Sequence, residues 1–372
     1  MRLNIPLTGA EELRLVGEVL ESGYLTQGPR AAEFERLIAA RTGSAEAFAV
    51  SSATTGLHLA LHAAGVKPGD EVIIPDFSFP ATANVVVQQG ATPVFVDIDI
   101  DTFNLDPALL EAAITSRTTA IMPVHAFGLT ADMDPINEIA TRHGIPVIED
   151  AACALGATYH GREAGTLALA GVFSFHPRKI ITTAEGGMVT TSDETLADRM
   201  RVLRSHGSVR GSHFMSFIDA GYNYRLSDVH AAIGIAQMAR LDEILRRRRE
   251  VAAEYDAVLS GMDGVRVPVV PAGLEHSYQS YVVLLDEDID RNEIIDVMKG
   301  DDVEVTLGTY SMHLQPYFRE RFGIPDESLP AATRAHQSAL TIPLYPQLTG
   351  ADVEQVASTL ARAIASVRPR RR

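Results

Sequence analysis

Hydrophobic positions in the first two thirds of the chain form short continuous runs that alternate with amphipathic segments. The runs AFAVSS, EVIIP, TPVFVDI, TAIMPV and IPVIED predict strands, whereas TTGLHLALHAAG, DPALLEAAIT and MDPINEIATRHG have the apolar spacing of helices. The apolar runs are too continuous for strands with one face in water. This alternation predicts an α/β fold in which a mostly parallel sheet carries helices on both faces.

The hydrophobic pattern changes near residue 240. A charged helical segment spans about 237–260, and the Pro-rich segment VRVPVVPAG follows it. An alternating strand, SYQSYVVLL, then precedes the helical segments DRNEIIDVMKG and ADVEQVASTLARAIASV. We therefore predict a large domain over residues 1–240 and a smaller C-terminal α/β domain over residues 241–372.

Composition narrows the class of protein. Of the 372 residues, 46% are hydrophobic and 22% charged, as in soluble globular proteins. No apolar stretch approaches the ~20 residues of a membrane span, and the N-terminal MRLNIPLTGAEEL lacks the apolar region of a signal peptide. We therefore expect a cytoplasmic protein without a membrane partner.

Charge and cysteine content exclude further classes. The formal net charge is −16, which argues against general binding of nucleic acid. The basic segment Arg246 to Arg249 is interpreted as the solvated face of a helix, and Arg368 with Arg370–Arg372 as a frayed terminus. Cys153 is the single cysteine, so an intrachain disulfide is impossible and no metal site is expected.

Candidate chemistry follows the predicted strands, because ligands of parallel sheets bind at the carboxyl ends of the strands. In VIEDAACALGA, an apolar strand ends at Glu149 and Asp150. A carboxylate there either caps a following helix or holds a cationic group in the cleft. In VFSFHPRKIITTAEGG, a second apolar strand leads to Lys179 and two glycines. Burial favours the neutral amine that adds to carbonyl groups, although a surface lysine fits the pattern equally well.

A third strand ends at Ser51, and the segment SSATTG leads into a helix. Small hydroxyl residues at a helix N-terminus let N–H and O–H groups converge on an anion, although serine and threonine are also ordinary N-caps. A phosphate site, an acid for a ring nitrogen and a nucleophilic lysine are together the parts that pyridoxal phosphate requires. Their order along the chain agrees with the fold type I arrangement.

Nearly the whole chain also resembles the DegT/DnrJ/EryC1/StrS family of sugar aminotransferases. The segments that carry the resemblance are ESGYLTQGPRAAEFE, SSATTGLHLAL, PDFSFPATANVV, VFVDIDIDTFNLD, VIEDAACALGA, FSFHPRKIITTAEGG, LRSHG, GYNYRLSDVHAAIGIAQ and GTYSMHLQPY. The most specific of these is FSFHPRK followed by EGG. Some relatives are dehydratases in which histidine replaces the lysine, so the presence of Lys179 favours transamination.

The resemblance implies a role for each matched residue. Lys179 and Asp150 are implied to be catalytic, with Asp150 on the ring nitrogen of the cofactor. The other implied cofactor contacts are Ala53, Thr54, Thr55 and Ser174 at the phosphate, Phe79 on the ring face, Cys153, and Asn223 from the neighbouring subunit. Thr26, Gln27 and His313 match positions beside the substrate. Many relatives carry glutamine at the position of Cys153, and Gly308-Thr309-Tyr310 also departs from the family pattern, which concerns substrate recognition.

The function implied by the resemblance is transfer of an amino group from L-glutamate to a nucleotide-linked keto-sugar. The reaction would pass through an internal aldimine at Lys179 and leave pyridoxamine phosphate between the two half-reactions. The shared phosphate contact at Asn223 implies a homodimer. Two alternatives stay open: an aminotransferase for a cyclitol such as a keto-inositol, and a non-catalytic regulator that binds pyridoxal phosphate.

Overall fold

The computed structural model describes residues 1–368, and its centre is a mixed sheet of seven strands. The strands are β1 (Glu46–Val50), β2 (Glu71–Pro75), β3 (Thr92–Val96), β4 (Thr118–Ile121), β5 (Ile148–Asp150), β6 (Ala170–Ser174) and β7 (Gly187–Thr191). Parallel bridges from Ile121 to Val147 and from Val124 to Asp150 join β4 to β5. The spatial order is therefore β3-β2-β4-β5-β6-β7-β1.

Strands β1 to β6 share one direction, and β7 runs antiparallel to both of its neighbours, β6 and β1. The predicted strands and the mostly parallel sheet are confirmed. Because β1 to β6 share a direction, their carboxyl ends meet at one edge of the sheet.

Helices cover both faces of this sheet, as predicted. The α-helices are α1 (Ala10–Ser22), α2 (Pro29–Thr42), α3 (Ala53–Ala63), α4 (Pro80–Gln88), α5 (Leu110–Ala113), α6 (Met133–His143), α7 (Glu194–Leu203), α8 (Asp228–Met238), α9 (Leu241–Leu259), α10 (Arg291–Gly300), α11 (Pro316–Phe322), α12 (Pro330–Ser338) and α13 (Gly350–Val367). Helices α3, α4 and α7 share one apolar core with the sheet, whereas α2 and α8 pack in another and α6 in a third. Among residues 1–368, no helix has the length and apolar composition to cross a membrane.

Short strands and turns complete the chain. The short strands are Phe77–Ser78, Thr158–Tyr159, Arg162–Glu163, Ser208–Arg210, Met215–Phe217, Leu274–Glu275 and Tyr310–Ser311, and the 3-10 turns are Pro107–Leu109, Ala126–Gly128 and Asp326–Ser328. The predicted helix over residues 106–115 is thus only a 3-10 turn followed by the four residues of α5.

The C-terminal region forms a second, antiparallel sheet. It consists of β8 (Val265–Arg266), β9 (Tyr281–Leu285), β10 (Thr306–Leu307) and β11 (Ala339–Ile342), in the order β8-β9-β11-β10. Strand β9 is buried on both faces: Val282 and Leu284 pack into a core of the large sheet, whereas Tyr281 and Val283 pack into a C-terminal core with α9, α10 and α13. The second sheet therefore lies against the large one.

Helix α9 begins at the predicted domain boundary and connects the two cores. Its residues Leu241 and Leu245 pack against the large sheet, whereas Tyr255 and Leu259 belong to the C-terminal core. The first residues of the chain, including Met1, also pack against that C-terminal core. The boundary at residue 240 stays a prediction.

The interpretation of the basic segment of α9 as a solvated face is wrong for Arg248. Its side chain is 2% exposed and donates hydrogen bonds to the carbonyl oxygens of Tyr278, Gln279 and Leu344 and to Oδ1 of Asn4. Burial lowers the pKa of Arg248 to about 10. The reason is that α9 lies between the two cores, so one side of its basic segment faces protein.

The predicted frayed terminus lies mostly outside the described residues, since these end at Arg368. Arg368 itself forms ion pairs with Asp263, Asp286 and Asp288. It therefore holds the end of α13 against the C-terminal sheet, which the sequence interpretation missed.

Candidate active site

A cavity of about 520 Å³ lies at the carboxyl edge of the large sheet, between that sheet and the C-terminal one. The predicted site residues that line it are Ala53, Thr54, Phe79, Asp150, Cys153, Ser174 and Lys179. Three separate segments thus bring a helix N-terminus, a carboxylate and a lysine to one space.

The helix N-terminus belongs to α3, which begins directly after β1. Ser52 is the N-cap and accepts a hydrogen bond from the Thr55 N–H at 3.1 Å, and the Thr55 hydroxyl accepts from the Ser52 N–H at 3.1 Å. Thr55 is therefore committed to the cap, whereas Ala53 and Thr54 line the cavity. Helix N-termini leave backbone N–H groups without intrahelical partners and carry partial positive charge, so this one suits a phosphate.

Gly187 allows α3 to sit at this place. A Cβ atom at Gly187 would lie 2.6 Å from the Ala53 nitrogen and from the Ser52 carbonyl carbon. A larger residue would push the start of α3 away from β7. Close packing against the start of α3 therefore explains the glycine at position 187 of the EGG segment.

Asp150 lies at the end of β5 with 5% of its surface exposed. Its Oδ2 accepts a hydrogen bond from the Thr82 hydroxyl at 2.7 Å, and its Oδ1 accepts from the Ala152 N–H at 3.2 Å. Burial raises the pKa of Asp150, although both hydrogen bonds and the charge of Lys179 favour the ionised form. The helix-cap alternative is wrong, because the next α-helix after Asp150 is α7, which begins at Glu194.

Thr82 is a partner of Asp150 that the sequence pattern did not indicate. It lies in the first turn of α4 and is fully buried, and its hydroxyl also contacts the Ser78 hydroxyl at 2.7 Å. The segment SFPAT places two hydroxyl residues four apart at a helix start. On a helix, residues four apart lie on the same face, so this spacing indicates that the two hydroxyl groups are neighbours.

Glu149 precedes Asp150 and has a different task. Its carboxylate is fully buried and accepts hydrogen bonds from the N–H groups of Gly165, Leu167 and Ala168 and from Nε2 of His125. Since neighbouring residues of a strand point to opposite faces, β5 sends Glu149 into the packing and Asp150 toward the cavity. Glu149 is thus structural.

Lys179 lies in a turn after β6, and its N–H donates to the His176 carbonyl oxygen at 2.8 Å. Its side chain is partly buried, and Nζ lies 3.0 Å from Sγ of Cys153. The chain has only three lysines, and the other two, Lys67 and Lys299, do not line the cavity. Lys179 is therefore the amine available for a cofactor aldehyde at this site.

Cys153 departs from the glutamine of many relatives, and the structure shows what the thiol contacts. Its Sγ lies in the cavity beside the Lys179 amine, and its carbonyl oxygen accepts from the Ser277 hydroxyl at 3.2 Å. A thiol is only a weak hydrogen-bond donor. It therefore cannot reproduce the donor strength of a glutamine amide.

Phe79 is 65% exposed at the start of α4, so it is not a core residue. Its ring lines the cavity above the strand ends. An aromatic ring kept out of the core at a binding cavity is free to stack on a planar ligand. Its stacking on a cofactor stays a prediction.

Besides Thr55, which is part of the helix cap, the structure does not bring four of the predicted residues to this cavity. His313 is fully buried, with its Nδ1 2.7 Å from Oδ2 of Asp76. Thr26 and Gln27 precede α2, where the Thr26 carbonyl oxygen accepts a hydrogen bond from the Asp228 N–H at 3.1 Å. Asn223 is exposed and, like the other three, is not a lining residue.

The opposite wall of the cavity comes mainly from the C-terminal sheet and the N-terminal segment. Its polar members, none of them charged, are Asn4, Gln279, Ser280, Thr306, Thr309 and Thr341. Such a wall offers hydrogen-bond donors and acceptors without charge, which suits a hydroxyl-rich ligand.

These residues fit pyridoxal phosphate. Ala53, Thr54 and Ser174 would hold its phosphate, Asp150 its protonated ring nitrogen and Lys179 its aldehyde carbon. The fit rests on Asp150, since a buried carboxylate whose ionised form is disfavoured by burial is stabilised by a cationic N–H. Within residues 1–368, no cluster of His, Cys, Asp and Glu side chains could hold a metal ion. The fold and this set of side chains define the class of pyridoxal-phosphate-dependent enzymes of fold type I.

Comparison with known proteins gives the family. The model of the DegT/DnrJ/EryC1/StrS aminotransferase family matches residues 6–361. The spore coat polysaccharide biosynthesis protein SpsC of Bacillus subtilis is 41% identical over 366 residues, which cover 95% of this chain and 94% of SpsC.

Solved structures agree with this match. The aminotransferase TlmJ of Streptoalloteichus hindustanus is 37% identical with a TM-score of 0.92, over 98% of this chain and 99% of TlmJ. The PMP form of Spr1654 from Streptococcus pneumoniae, described as a sugar aminotransferase, is 28% identical with a TM-score of 0.95, over 99% of this chain and 100% of that one.

The chain belongs to the DegT/DnrJ/EryC1/StrS aminotransferase family. It is a pyridoxal-phosphate-dependent aminotransferase that acts on a sugar or cyclitol. The predictions of family, fold class, enzyme class and cofactor are thereby confirmed.

Proposed function

We propose that the enzyme transfers an amino group from L-glutamate to a keto-sugar linked to a nucleotide. The observation that carries the proposal is the joint position of Lys179 and Asp150 in a cavity whose opposite wall offers several uncharged hydroxyl and amide side chains. Hydroxyl and amide side chains suit the several hydroxyl groups of a sugar. The names of SpsC and Spr1654, which refer to polysaccharide biosynthesis and to a sugar aminotransferase, support the sugar. The donor, the nucleotide link and the cytoplasmic location rest on the resemblance and the sequence.

The side chains of this cavity have separate tasks in such a reaction. Pyridoxal phosphate, when bound, supplies an aldehyde that takes up amines and a ring that accepts electrons. Asp150 would hold the proton on the ring nitrogen, because its carboxylate is buried at the cavity. Lys179 Nζ would hold the aldehyde carbon of the cofactor, and as a free amine it would carry the proton that moves during the transfer. Thr82 orients Asp150 through its hydrogen bond.

A pair of variants tests these tasks. The purified enzyme should be yellow, and Lys179→Ala should lose the visible absorption band of the lysine-linked cofactor. Asp150→Asn should still bind the cofactor but lose most turnover, because a neutral amide does not hold the ring proton. A colourless wild type that cannot be reconstituted with pyridoxal phosphate would refute the assignment. Unchanged turnover of Asp150→Asn would show that the carboxylate has no part in the reaction.

Separate half-reactions distinguish the substrates. Excess L-glutamate alone should convert the bound cofactor to its pyridoxamine form, and a nucleotide-linked keto-sugar alone should convert it back, which gives ping-pong kinetics. Return by a keto-inositol but not by keto-sugars would establish the cyclitol alternative. A cofactor that no donor or ketone converts would favour the regulator, and kinetics that require both substrates bound together would contradict the proposal.

We propose further that the working unit is a homodimer with shared active sites. The hairpin of Ser208–Arg210 and Met215–Phe217 projects apolar side chains into solvent, among them Phe214, which is 85% exposed, and Phe217. Exposed apolar patches indicate protein interfaces. Asn223 lies in the segment that follows this hairpin, as expected for a residue that reaches a neighbouring phosphate.

Light scattering combined with Asn223→Ala tests the dimer. We expect a dimer mass for both proteins and a weaker affinity of Asn223→Ala for pyridoxal phosphate. A monomeric enzyme with full activity would contradict the shared site.

A further inference from the structure

The turn that carries Lys179 also places a cation without a protein partner at the cavity. Arg178 lines the cavity, and its side chain is exposed. Within residues 1–368 its guanidinium forms no ion pair, although Glu185 also lines the cavity. By contrast, the neighbouring protein groups hold its backbone firmly: the Arg178 N–H donates to Nδ1 of His176 at 3.2 Å, and its carbonyl oxygen accepts from Nε2 of Gln279 at 2.8 Å.

These contacts fix the turn to the opposite wall. The Pro177 carbonyl oxygen accepts a hydrogen bond from Nδ2 of Asn4 at 2.9 Å, so both sides of the turn are tied to residues of the uncharged wall. The Arg178 guanidinium therefore starts from a fixed backbone position where the turn meets that wall.

Among the described residues, the Arg178 side chain differs from the other basic side chains of the cavity in having no assigned partner. The charged or titratable lining residues of the cavity are Asp150, Cys153, His176, Arg178, Lys179 and Glu185. The Lys179 amine binds the cofactor, and the positive helix end near Ala53 and Thr54 serves its phosphate. Burial lowers the pKa of His176, the Glu185 carboxylate opposes this effect, and the charges of Lys179 and Arg178 reinforce it. Arg178 is thus the permanent cation that remains for a substrate.

We infer that Arg178 binds an oxyanion of a substrate at this cavity, either the carboxylate of the amino donor or a phosphate of the acceptor. The inference rests on the proposed function, since both partners of that reaction carry such a group while the opposite wall offers no charge. A guanidinium presents paired N–H donors that match the two oxygens of a carboxylate or phosphate. It would fix the substrate relative to Lys179, the adjacent residue.

Anion titration of the holoenzyme tests the inference. Maleate stands for a carboxylate donor and inorganic pyrophosphate for a nucleotide-linked acceptor, and the absorption of the bound cofactor reports binding of each. Arg178→Gln should weaken the binding of at least one anion by about tenfold to a hundredfold, as expected for charge-assisted hydrogen bonds. Arg178→Lys keeps the charge without the paired donors and should show a smaller loss. Arg362→Gln is the matched control, because Arg362 is an exposed arginine of α13 that pairs with Asp301 and does not line the cavity.

The outcomes separate the two sources of the oxyanion. If Arg178→Gln binds only maleate more weakly, Arg178 binds the amino donor, and if it binds only pyrophosphate more weakly, Arg178 binds the acceptor. Weaker binding of both anions means that Arg178 binds the donor in one half-reaction and the acceptor in the other. Wild-type and Arg178→Gln affinities within twofold for both anions, or no binding of either anion by the wild type, would overturn the inference. If L-glutamate fails to convert the wild-type cofactor, the proposed donor is wrong, whereas the dependence of anion binding on Arg178 still decides this site. An unchanged cofactor spectrum in Arg178→Gln shows that the variant is folded.

Discussion

Replacing Thr82 by valine removes one hydroxyl from beneath the cofactor site and leaves the side-chain shape almost unchanged. The Thr82 hydroxyl donates to Oδ2 of the buried Asp150 at 2.7 Å, and Oδ1 keeps its contact with the Ala152 N–H in the variant. A hydrogen bond to a charged group contributes about 1.5–3 kcal/mol. Because this bond favours the ionised carboxylate, its loss raises the pKa of Asp150 beyond the effect of burial. A smaller fraction of Asp150 is then ionised, so the carboxylate stabilises a protonated ring nitrogen of the cofactor less well.

We therefore expect Thr82→Val to weaken cofactor binding or turnover by roughly tenfold to a hundredfold, the factor that corresponds to about 1.5–3 kcal/mol. The acidic limb of the pH–rate profile should also move to higher pH, since more alkaline solution is needed to ionise Asp150. Cofactor affinity from equilibrium dialysis and rates of the glutamate half-reaction against pH measure both effects. Thr82→Ser keeps the hydroxyl and should restore most of the loss. If the Thr82→Val profile superimposes on that of the wild type and its affinity lies within twofold, Thr82 does not act through Asp150.

Three further predictions concern stability. Asp150→Asn should stabilise the cofactor-free protein relative to the wild type, and increasingly so as pH rises from the ordinary aspartate pKa of 3.8 through the raised pKa of Asp150. The reason is that the wild type must ionise a buried group over this range, whereas the amide stays neutral. Urea unfolding of both proteins against pH measures the difference, and a difference that does not grow with pH would contradict this. Arg248→Ala should lower the free energy of unfolding by about 1–3 kcal/mol, since buried carbonyl oxygens lose their donor, whereas the exposed Arg246→Ala should change it by no more than about 0.5 kcal/mol. Asp76→Ala removes the carboxylate that binds the His313 N–H and ring and should lower the free energy of unfolding by about 3–5 kcal/mol; a thermal unfolding curve identical to that of the wild type would rule out this contact as a support of the fold.

The sequence predicted the large sheet well because its strands are continuous apolar runs. Such runs must be buried on both faces, and the chemistry of parallel sheets lies at their carboxyl ends. Asp150 and Lys179 were found for this reason. Strand β7 is buried along its whole length, and the sequence pattern carries no sign of its antiparallel direction.

Contacts between segments distant in sequence were beyond the pattern analysis. The contact between His313 and Asp76 joins residues 237 positions apart. The sequence around His313, GTYSMHLQPY, does not show this partner, and a histidine there could equally have faced a substrate. Arg248 has the same character: its partners Tyr278 and Leu344 lie in loops that local periodicity cannot place against α9. Thr82 was missed because its partner, Asp150, lies at the end of β5, 68 positions further along the chain.

The measurement that tests the central claim most directly is reduction of the holoenzyme with borohydride followed by peptide mass mapping. The claim is that the lysine after β6, the carboxylate after β5 and the N-terminus of α3 hold one cofactor. With three lysines in the chain, the account predicts the pyridoxyl mass on the peptide that contains Lys179 and on no other. A label on Lys67 or Lys299, or no label after reduction of a yellow protein, would contradict it.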